Sequence, residues 1–210
     1  DTMSDVVLKH GGTIDKFVGD AVVAFWGAPI SRPDDAANAS AAALAMFEAG
    51  EAFRTEMGAG VPPIGKTRVG LHFGEAIVGN FGGEGRIQYT ALGDSMNTAA
   101  RLESANKQMK TRALASREAL AGTDASVFVP MGRVQLRGRN QPVDVFEPRP
   151  DLDEAARTTI AAMVTAHAEG KGEDYAAARD ALARMDIEDR ASIDFLVRRL
   201  EATEAGDHYV

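Results

Sequence analysis

Residues 11–27, Gly11-Gly12-Thr13-Ile14-Asp15-Lys16-Phe17-Val18-Gly19-Asp20-Ala21-Val22-Val23-Ala24-Phe25-Trp26-Gly27, decide how the rest of the chain reads. Two short runs rich in β-branched and aromatic residues flank Val18-Gly19-Asp20. Glycine tolerates the positive φ of a tight hairpin turn, so the segment predicts a β-hairpin, with strands over Thr13 to Phe17 and Ala21 to Trp26. The second run is continuously apolar and is expected to be buried on both faces. Asp20 falls at the hairpin tip, where a carboxylate either hydrogen-bonds the turn or reaches a metal ion. Lys16 falls inside a strand, where its ammonium is either solvated or held by a partner.

Working outward, Asp1 to His10 reads as the last turns of a helix, with Val6, Val7 and Leu8 apolar and Gly11 as its C-cap. There is no initiator methionine, so a longer polypeptide is expected. On the other side, Asp34 or Asp35 caps a helix running to about Met57 and ended by Gly58 to Pro63. Its positions Ala37, Ala41, Leu44, Phe47 and Ala52 suit a face laid on a sheet. Lys66 to Phe73 reads as a strand and Gly74 to Phe81 as its hairpin partner. Gly82 to Gly85 reads as a flexible loop and Arg86 to Thr90 as a short strand. Gly93-Asp94-Ser95 opens a helix to about Asn106, with Asp94 or Ser95 as N-cap.

Ser116 to Ala121 predicts a short helix. Val127 to Leu136 and Val143 to Phe146 predict strands around an Arg137-Gly138-Arg139-Asn140 turn. This order defines an α+β class with a mainly antiparallel sheet and flanking helices. Pro148 and Pro150 mark a boundary, giving one unit over 1–148 and a helical C-terminal appendage over 149–210. The appendage shows helical periodicity at about Leu152 to Glu169, Asp174 to Met185 and Arg190 to Ala202. No chemistry is evident in it, and a structural or docking role is expected.

The 210 residues carry a net charge of −8, which argues against a nucleic-acid surface. With no cysteine there is neither a disulfide nor a thiolate metal site, which suits a cytoplasmic setting. No signal peptide is evident. The longest weakly polar run, Ala36 to Phe53, is broken by Asn38, Ser40, Glu48 and Glu51 and is no membrane span. His10, His72, His167 and His208 show no ligand spacing. Neither a Ser-His-Asp set nor a Walker-type loop is present. Phe25, Trp26, Phe73 and Tyr89 read as core.

A second stretch, Tyr89-Thr90-Ala91-Leu92-Gly93-Asp94-Ser95-Met96-Asn97-Thr98-Ala99-Ala100-Arg101-Leu102-Glu103, changes the reading of the first. Asn97 and Arg101 lie four apart and share a helix face. An amide and a guanidinium there suit oxygens that gain charge during phosphoryl chemistry. Together the two stretches resemble the signature segments of the class III nucleotide cyclases, near GGTIxKFxGDxxxAxFG and YTxxGDxVNxAARLE. The run from Val134 to Val143 resembles that family's closing LKGxxxPV segment.

The resemblance implies a ferredoxin-like, palm-type cyclase domain that converts ATP to 3′,5′-cyclic AMP and pyrophosphate in intracellular signalling. Asp20 matches a metal-binding aspartate for Mg2+ or Mn2+, two divalent ions serving each site. Asn97 matches the residue that orients the ribose, and Arg101 the one that stabilises charge on the α-phosphate. Lys16 and Thr90 match the pair that reads the purine. Lysine donates to a ring nitrogen and threonine accepts from the exocyclic amine of adenine, so the pair favours ATP over GTP. Arg137 stands where the family's Lys contacts the terminal phosphates, and Arg86 is a further phosphate candidate. The resemblance also implies a homodimer with composite sites at the interface, and an upstream regulatory domain.

The family's first catalytic segment, near ADIxGFT, carries the other metal aspartate and is expected before Gly11; this sequence does not contain it. One alternative is therefore a non-catalytic cyclase-homology module for dimerisation or nucleotide sensing; another, a guanylate cyclase, is disfavoured by Lys16 and Thr90.

Overall fold

Gly19, at φ +60°, turns the chain between the first two strands. In chain order the elements are α1 (Thr2–Lys9), β1 (Thr13–Val18), β2 (Ala21–Phe25), α2 (Asp35–Met57), β3 (Val69–Leu71), β4 (Ile77–Gly83), β5 (Arg86–Leu92), α3 (Asp94–Met109), β6 (Ala113–Ser116), β7 (Phe128–Val134), β8 (Val143–Pro148), α4 (Glu154–Ala168), α5 (Gly172–Ala183) and α6 (Ala191–Glu201). A 3-10 turn over Arg117–Leu120 stands where a short helix is expected. The computed structural model describes residues 2–57, 65–139 and 141–204. The expected helix end at Gly58 to Pro63 and the Asn140 of the second turn lie outside the described residues.

β1 and β2 pair antiparallel, as the hairpin reading requires. β2 is not buried on both faces. Phe25 is buried, but Ala21 is exposed and the three residues between are half-buried. The reason is topological: among the described residues this ribbon pairs with no third strand. It is tied down at one end, where Trp26 Nε1 donates to the carbonyl of His10 at 2.8 Å.

β4 and β5 form a second hairpin, from Ile77↔Leu92 to Gly83↔Arg86. Here the pairing corrects the sequence reading, which joined β4 to the strand before it. Glu84 and Gly85 make the turn, and Gly85 takes φ +102°, so the glycine-rich segment closes a hairpin instead of forming a loose loop.

The remaining strands form a four-stranded sheet of order β3-β6-β8-β7. β3 runs parallel to β6, and the other two pairs are antiparallel. β6 has no counterpart in the sequence reading, yet it sits inside the sheet and all four of its residues are buried. α3 lies against β3 and β6 and buries Leu102, Ala105 and Met109. Its N-cap is Gly93, without a side-chain cap bond. Ser95 instead donates to the carbonyl of Glu75 at 2.8 Å.

α2 buries Ala39, Ser40, Ala42, Ala43 and Gly50, and Ala41 is exposed. The expected face is thus rotated. Alanine occurs all round this helix, so closeness of approach selects the buried side: a Cβ on Gly50 would fall 1.9 Å from Thr67 Oγ1.

The three C-terminal helices stand where helical periodicity places them. They share one core with the sheet: Ile160, Met163, Leu182, Ile193, Leu196 and Leu200 join Leu102, Met109, Leu114, Val129, Met131 and Val145. No described helix is long and apolar enough to cross a membrane.

Candidate active site

The two hairpins meet along β1 and β5. Gln88 Nε2 donates to the carbonyl of Asp15 at 3.3 Å, and the rings of Phe25 and Tyr89 lie 6.1 Å apart. This contact brings together two residues distant in sequence: Lys16 Nζ donates to Thr90 Oγ1 at 3.3 Å. Thr90 is buried, while the Lys16 side chain keeps partial access to solvent. An ammonium and a hydroxyl so placed present one donor and one acceptor to a ligand edge.

β5 runs through Gly93 directly into α3, which carries Asn97 and Arg101 on one face. Asn97 is exposed. Arg101 is partly buried; its Nη1 lies 3.6 Å from Asp94 Oδ1 and, among the described residues, makes no hydrogen bond. The turn between β7 and β8 closes over it. A Cβ on Gly138 would fall 3.2 Å from Arg101 Nη2, so glycine permits this approach, and its φ of +76° also suits glycine.

Arg139 reaches from the same turn to α3. Its Nη1 donates to Thr98 Oγ1 at 2.8 Å and its Nη2 lies 3.7 Å from Asp94 Oδ2. Asp94, Gly138, Arg139 and Gln141 line a cleft of about 310 Å³. Two guanidinium groups thus converge on one exposed carboxylate, leaving an excess of positive charge that suits an anion. Burial holds the His72 imidazole below its ordinary range; its Nδ1 lies 2.8 Å from Ser116 Oγ.

Other expected residues are exposed. Arg137 is exposed, while its neighbour Arg139 lines the cleft. Arg86 is exposed at the far end of β5, four residues from Thr90 and so about 13 Å away along a strand. Asp20 is exposed at the tip of the first hairpin. Among the described residues no group of three His, Asp or Glu is placed to hold a metal ion. Asp20 offers one hard oxygen ligand, and the residues present do not by themselves complete a two-ion site.

Sequence reasoning gave Asp94 only a capping role, which Gly93 takes instead, and assigned none to Arg139 or Asp15. For the first two the signals were present: a carboxylate opening the Asn97 helix, and a second arginine two residues past Arg137. Nothing in the sequence marked Asp15.

The hairpin bearing Lys16 and the strand and helix bearing Thr90, Asn97 and Arg101 are the two segments that resemble a nucleotide cyclase domain. The chain belongs to the family described as the adenylate and guanylate cyclase catalytic domain, whose profile matches residues 2–146. It is 43% identical over 148 residues to adenylate cyclase 1 of Rhizobium meliloti (strain 1021), a match covering 70% of this chain and 22% of that protein.

Among solved structures, the adenylyl cyclase CyaB from P. aeruginosa superposes with a TM-score of 0.62 at 34% identity, over 72% of this chain and 80% of that one. The guanylyl cyclase Cya2 gives a TM-score of 0.60 at 34% identity, over 69% and 73%. The α+β, palm-type class expected from the sequence is the one these neighbours share. The matched region spans about a quarter of the length of the curated relatives, 22% and 26% for two of them.

Proposed function

We propose that this chain is the catalytic portion of an adenylate cyclase, which converts ATP to 3′,5′-cyclic AMP and pyrophosphate. An adenylyl and a guanylyl cyclase stand among its structural neighbours at equal identity, so the choice of base rests on the chain's own site. The observation that carries it is the contact of Lys16 with Thr90. Adenine presents an acceptor at ring N1 beside a donor at N6. Lys16 donates to the first, and the Thr90 hydroxyl accepts from the second with its remaining lone pair. Guanine presents the reverse polarity, with a donor at N1 from which the Lys16 ammonium cannot accept.

Arg101 then supplies fixed positive charge to the α-phosphate as the ribose 3′-oxygen adds to phosphorus and the bond to the leaving pyrophosphate breaks. Asn97 offers its amide to the ribose and holds the 3′-hydroxyl in line. Arg139 and Arg137 stand on the turn that would face the terminal phosphates. The family resemblance calls for divalent ions, Mg2+ or Mn2+. Asp20 supplies one carboxylate, and completing such a site takes ligands from beyond the described residues.

The proposal includes a second copy of the chain and a cytoplasmic setting. Phe17, Val18, Ile77 and Ile87, all exposed on the two hairpins, support a partner of that kind.

The test is to express the full-length polypeptide and measure cyclic AMP and cyclic GMP with magnesium and with manganese, supplying ATP and GTP in competition. Cyclic AMP should dominate. Asn97→Ala or Arg101→Ala should each cut turnover by about 100-fold or more. Unchanged turnover in both variants would remove the assigned roles, and dominant cyclic GMP would make the protein a guanylate cyclase. Nucleotide binding with no turnover would leave a non-catalytic module.

A further inference from the structure

Strand β1 carries a bulge. Val18 pairs with Ala21, Phe17 with Val22 and Lys16 with Val23, but Ile14 pairs with Ala24, so Asp15 is an extra residue opposite no partner. In a regular strand, adjacent side chains point to opposite faces. A bulge bends the strand and re-aims a side chain. Here the carboxylate of Asp15 and the ammonium of Lys16, neighbours in sequence, lie 3.4 Å apart.

The Asp15 side chain is 0% exposed, and neither of its oxygens accepts a hydrogen bond among the described residues. A buried carboxylate so poorly satisfied is among the costliest groups a fold retains. Among the described residues its ion-pair partner is Lys16, whose Nζ also donates to Thr90. The bulged peptide is itself anchored: the Asp15 carbonyl accepts from Gln88, two residues before Thr90 and on the same face of β5.

We infer that Asp15 is a positioning residue for base recognition, fixing the Lys16 ammonium against Thr90 before the nucleotide arrives. Lysine carries three donors on a flexible four-carbon stem. One donor faces Asp15, one meets Thr90, and the third remains for the purine ring nitrogen. Holding the stem in place in advance removes an ordering cost from binding. The inference rests on the reading of Lys16 and Thr90 as the adenine-selecting pair.

The experiment uses the full-length protein with Asp15→Asn, which keeps shape and removes charge, and Asp15→Ser, which shortens the group. In both, KM for ATP should rise about tenfold and the preference for ATP over GTP should fall by a similar factor, because a charge-assisted contact is lost. The kcat should stay within about twofold, and the melting temperature should not fall, since an ill-satisfied buried charge has been removed. In a Lys16→Met background, Asp15→Asn should change neither quantity further.

Unchanged KM and preference in the single variants would overturn the inference. So would an equal effect in the Lys16→Met background, or loss of fold in both variants. If Lys16→Met itself leaves the preference unchanged, the base assignment fails and Asp15 loses its role with it. If Lys16→Met acts and Asp15→Asn does not, Asp15 alone is misassigned.

Discussion

Arg139 Nη1 donates a hydrogen bond to the hydroxyl of Thr98 at 2.8 Å, and this fastens the β7–β8 turn to the start of α3. Thr98 is fully buried, and its hydroxyl donates in turn to the carbonyl of Asp94 at 2.9 Å. Asp94 stands between Arg139 and Arg101, within 3.7 and 3.6 Å of them. A turn far along the chain thereby borders a proposed catalytic arginine, the two guanidinium groups sharing one carboxylate.

Replacing Arg139 by alanine should cost about 1 kcal/mol of stability, the typical worth of one hydrogen bond. The ion pair with Asp94 adds little, because that carboxylate is exposed. The larger effect is expected on turnover, with kcat falling severalfold as the shared carboxylate is left to Arg101 alone. Arg139→Lys should recover only part, since lysine lacks the rigid fork that serves Thr98 and Asp94 together. Thermal melts and steady-state kinetics on the three proteins check this; a fall confined to stability would limit Arg139 to a structural role.

Glu147 ties β8 to the C-terminal helices and gives a pH dependence. It is 2% exposed, accepts from Ser192 Oγ at 2.6 Å, and lies 3.8 Å from Arg149 Nη1. Burial pushes its carboxyl up to about 7, outweighing Ser192, Arg149 and Arg112, which pull the other way. The folded protein thus holds this proton at pH values where the unfolded chain has released it. Its contribution is full below about 4.5 and is lost as pH rises through about 7.

The depressed carboxyls of Asp144, Asp151 and Asp189 contribute in the opposite sense, but below the ordinary carboxylate range. The depressed His72 opposes Glu147 nearer neutrality. Comparison with Glu147→Gln cancels these shared effects. Wild type should lose stability relative to the variant between about pH 5 and pH 8, by up to about 3 kcal/mol at 1.4 kcal/mol per pKa unit. Parallel melting curves across that range would refute it.

Ile160 tests whether the helices beyond Pro148 are energetically part of the domain. It is fully buried on α4, in the core that also holds Met131 and Val134 of β7. Ile160→Ala should cost about 2–5 kcal/mol, the range for a buried large-to-small change. If the two segments share one cooperative core, near-ultraviolet and far-ultraviolet melts of the variant should shift together. A shift confined to a minor helical transition would instead support independent units at 1–148 and 149–210.

The hairpin around Gly19-Asp20 and the Asn97 helix were legible because turn chemistry and a long ordered motif agree. β6 was not. Ala113, Leu114, Ala115 and Ser116 have no period-2 pattern, because burial on both faces removes the alternation that reveals a strand. Its absence from the reading also misdirected β3, whose true neighbour is β6. Lys16 and Thr90 were paired through the motif alone, since local rules cannot join residues so far apart. Asp15 depends on a bulge, and bulges leave no local signature in a run of alternating residues.

Gly70 supplies the last expectation, because it sets where α3 lies. A Cβ added there would fall 2.1 Å from the carbonyl oxygen of Ala99 and 2.4 Å from the amide nitrogen of Glu103. Both are backbone atoms of α3, so no rotamer change relieves the overlap. Asn106 clamps the same contact by donating to the carbonyl of Val69 at 2.9 Å. Gly70→Ala must therefore push α3 off β3, at a cost of about 1–3 kcal/mol for overpacking. Ala99 lies between Asn97 and Arg101, so the displacement carries both side chains with it. Turnover should fall more than nucleotide affinity, since a small misplacement of catalytic groups costs far more in rate than in binding. Gly172→Ala is the control: among the described residues nothing lies within 4 Å of a Cβ there, and alanine in α5 should leave stability unchanged or raise it by up to about 1 kcal/mol. Equal behaviour of the two variants in melts and kinetics would show that the contact between β3 and α3 does not position the site.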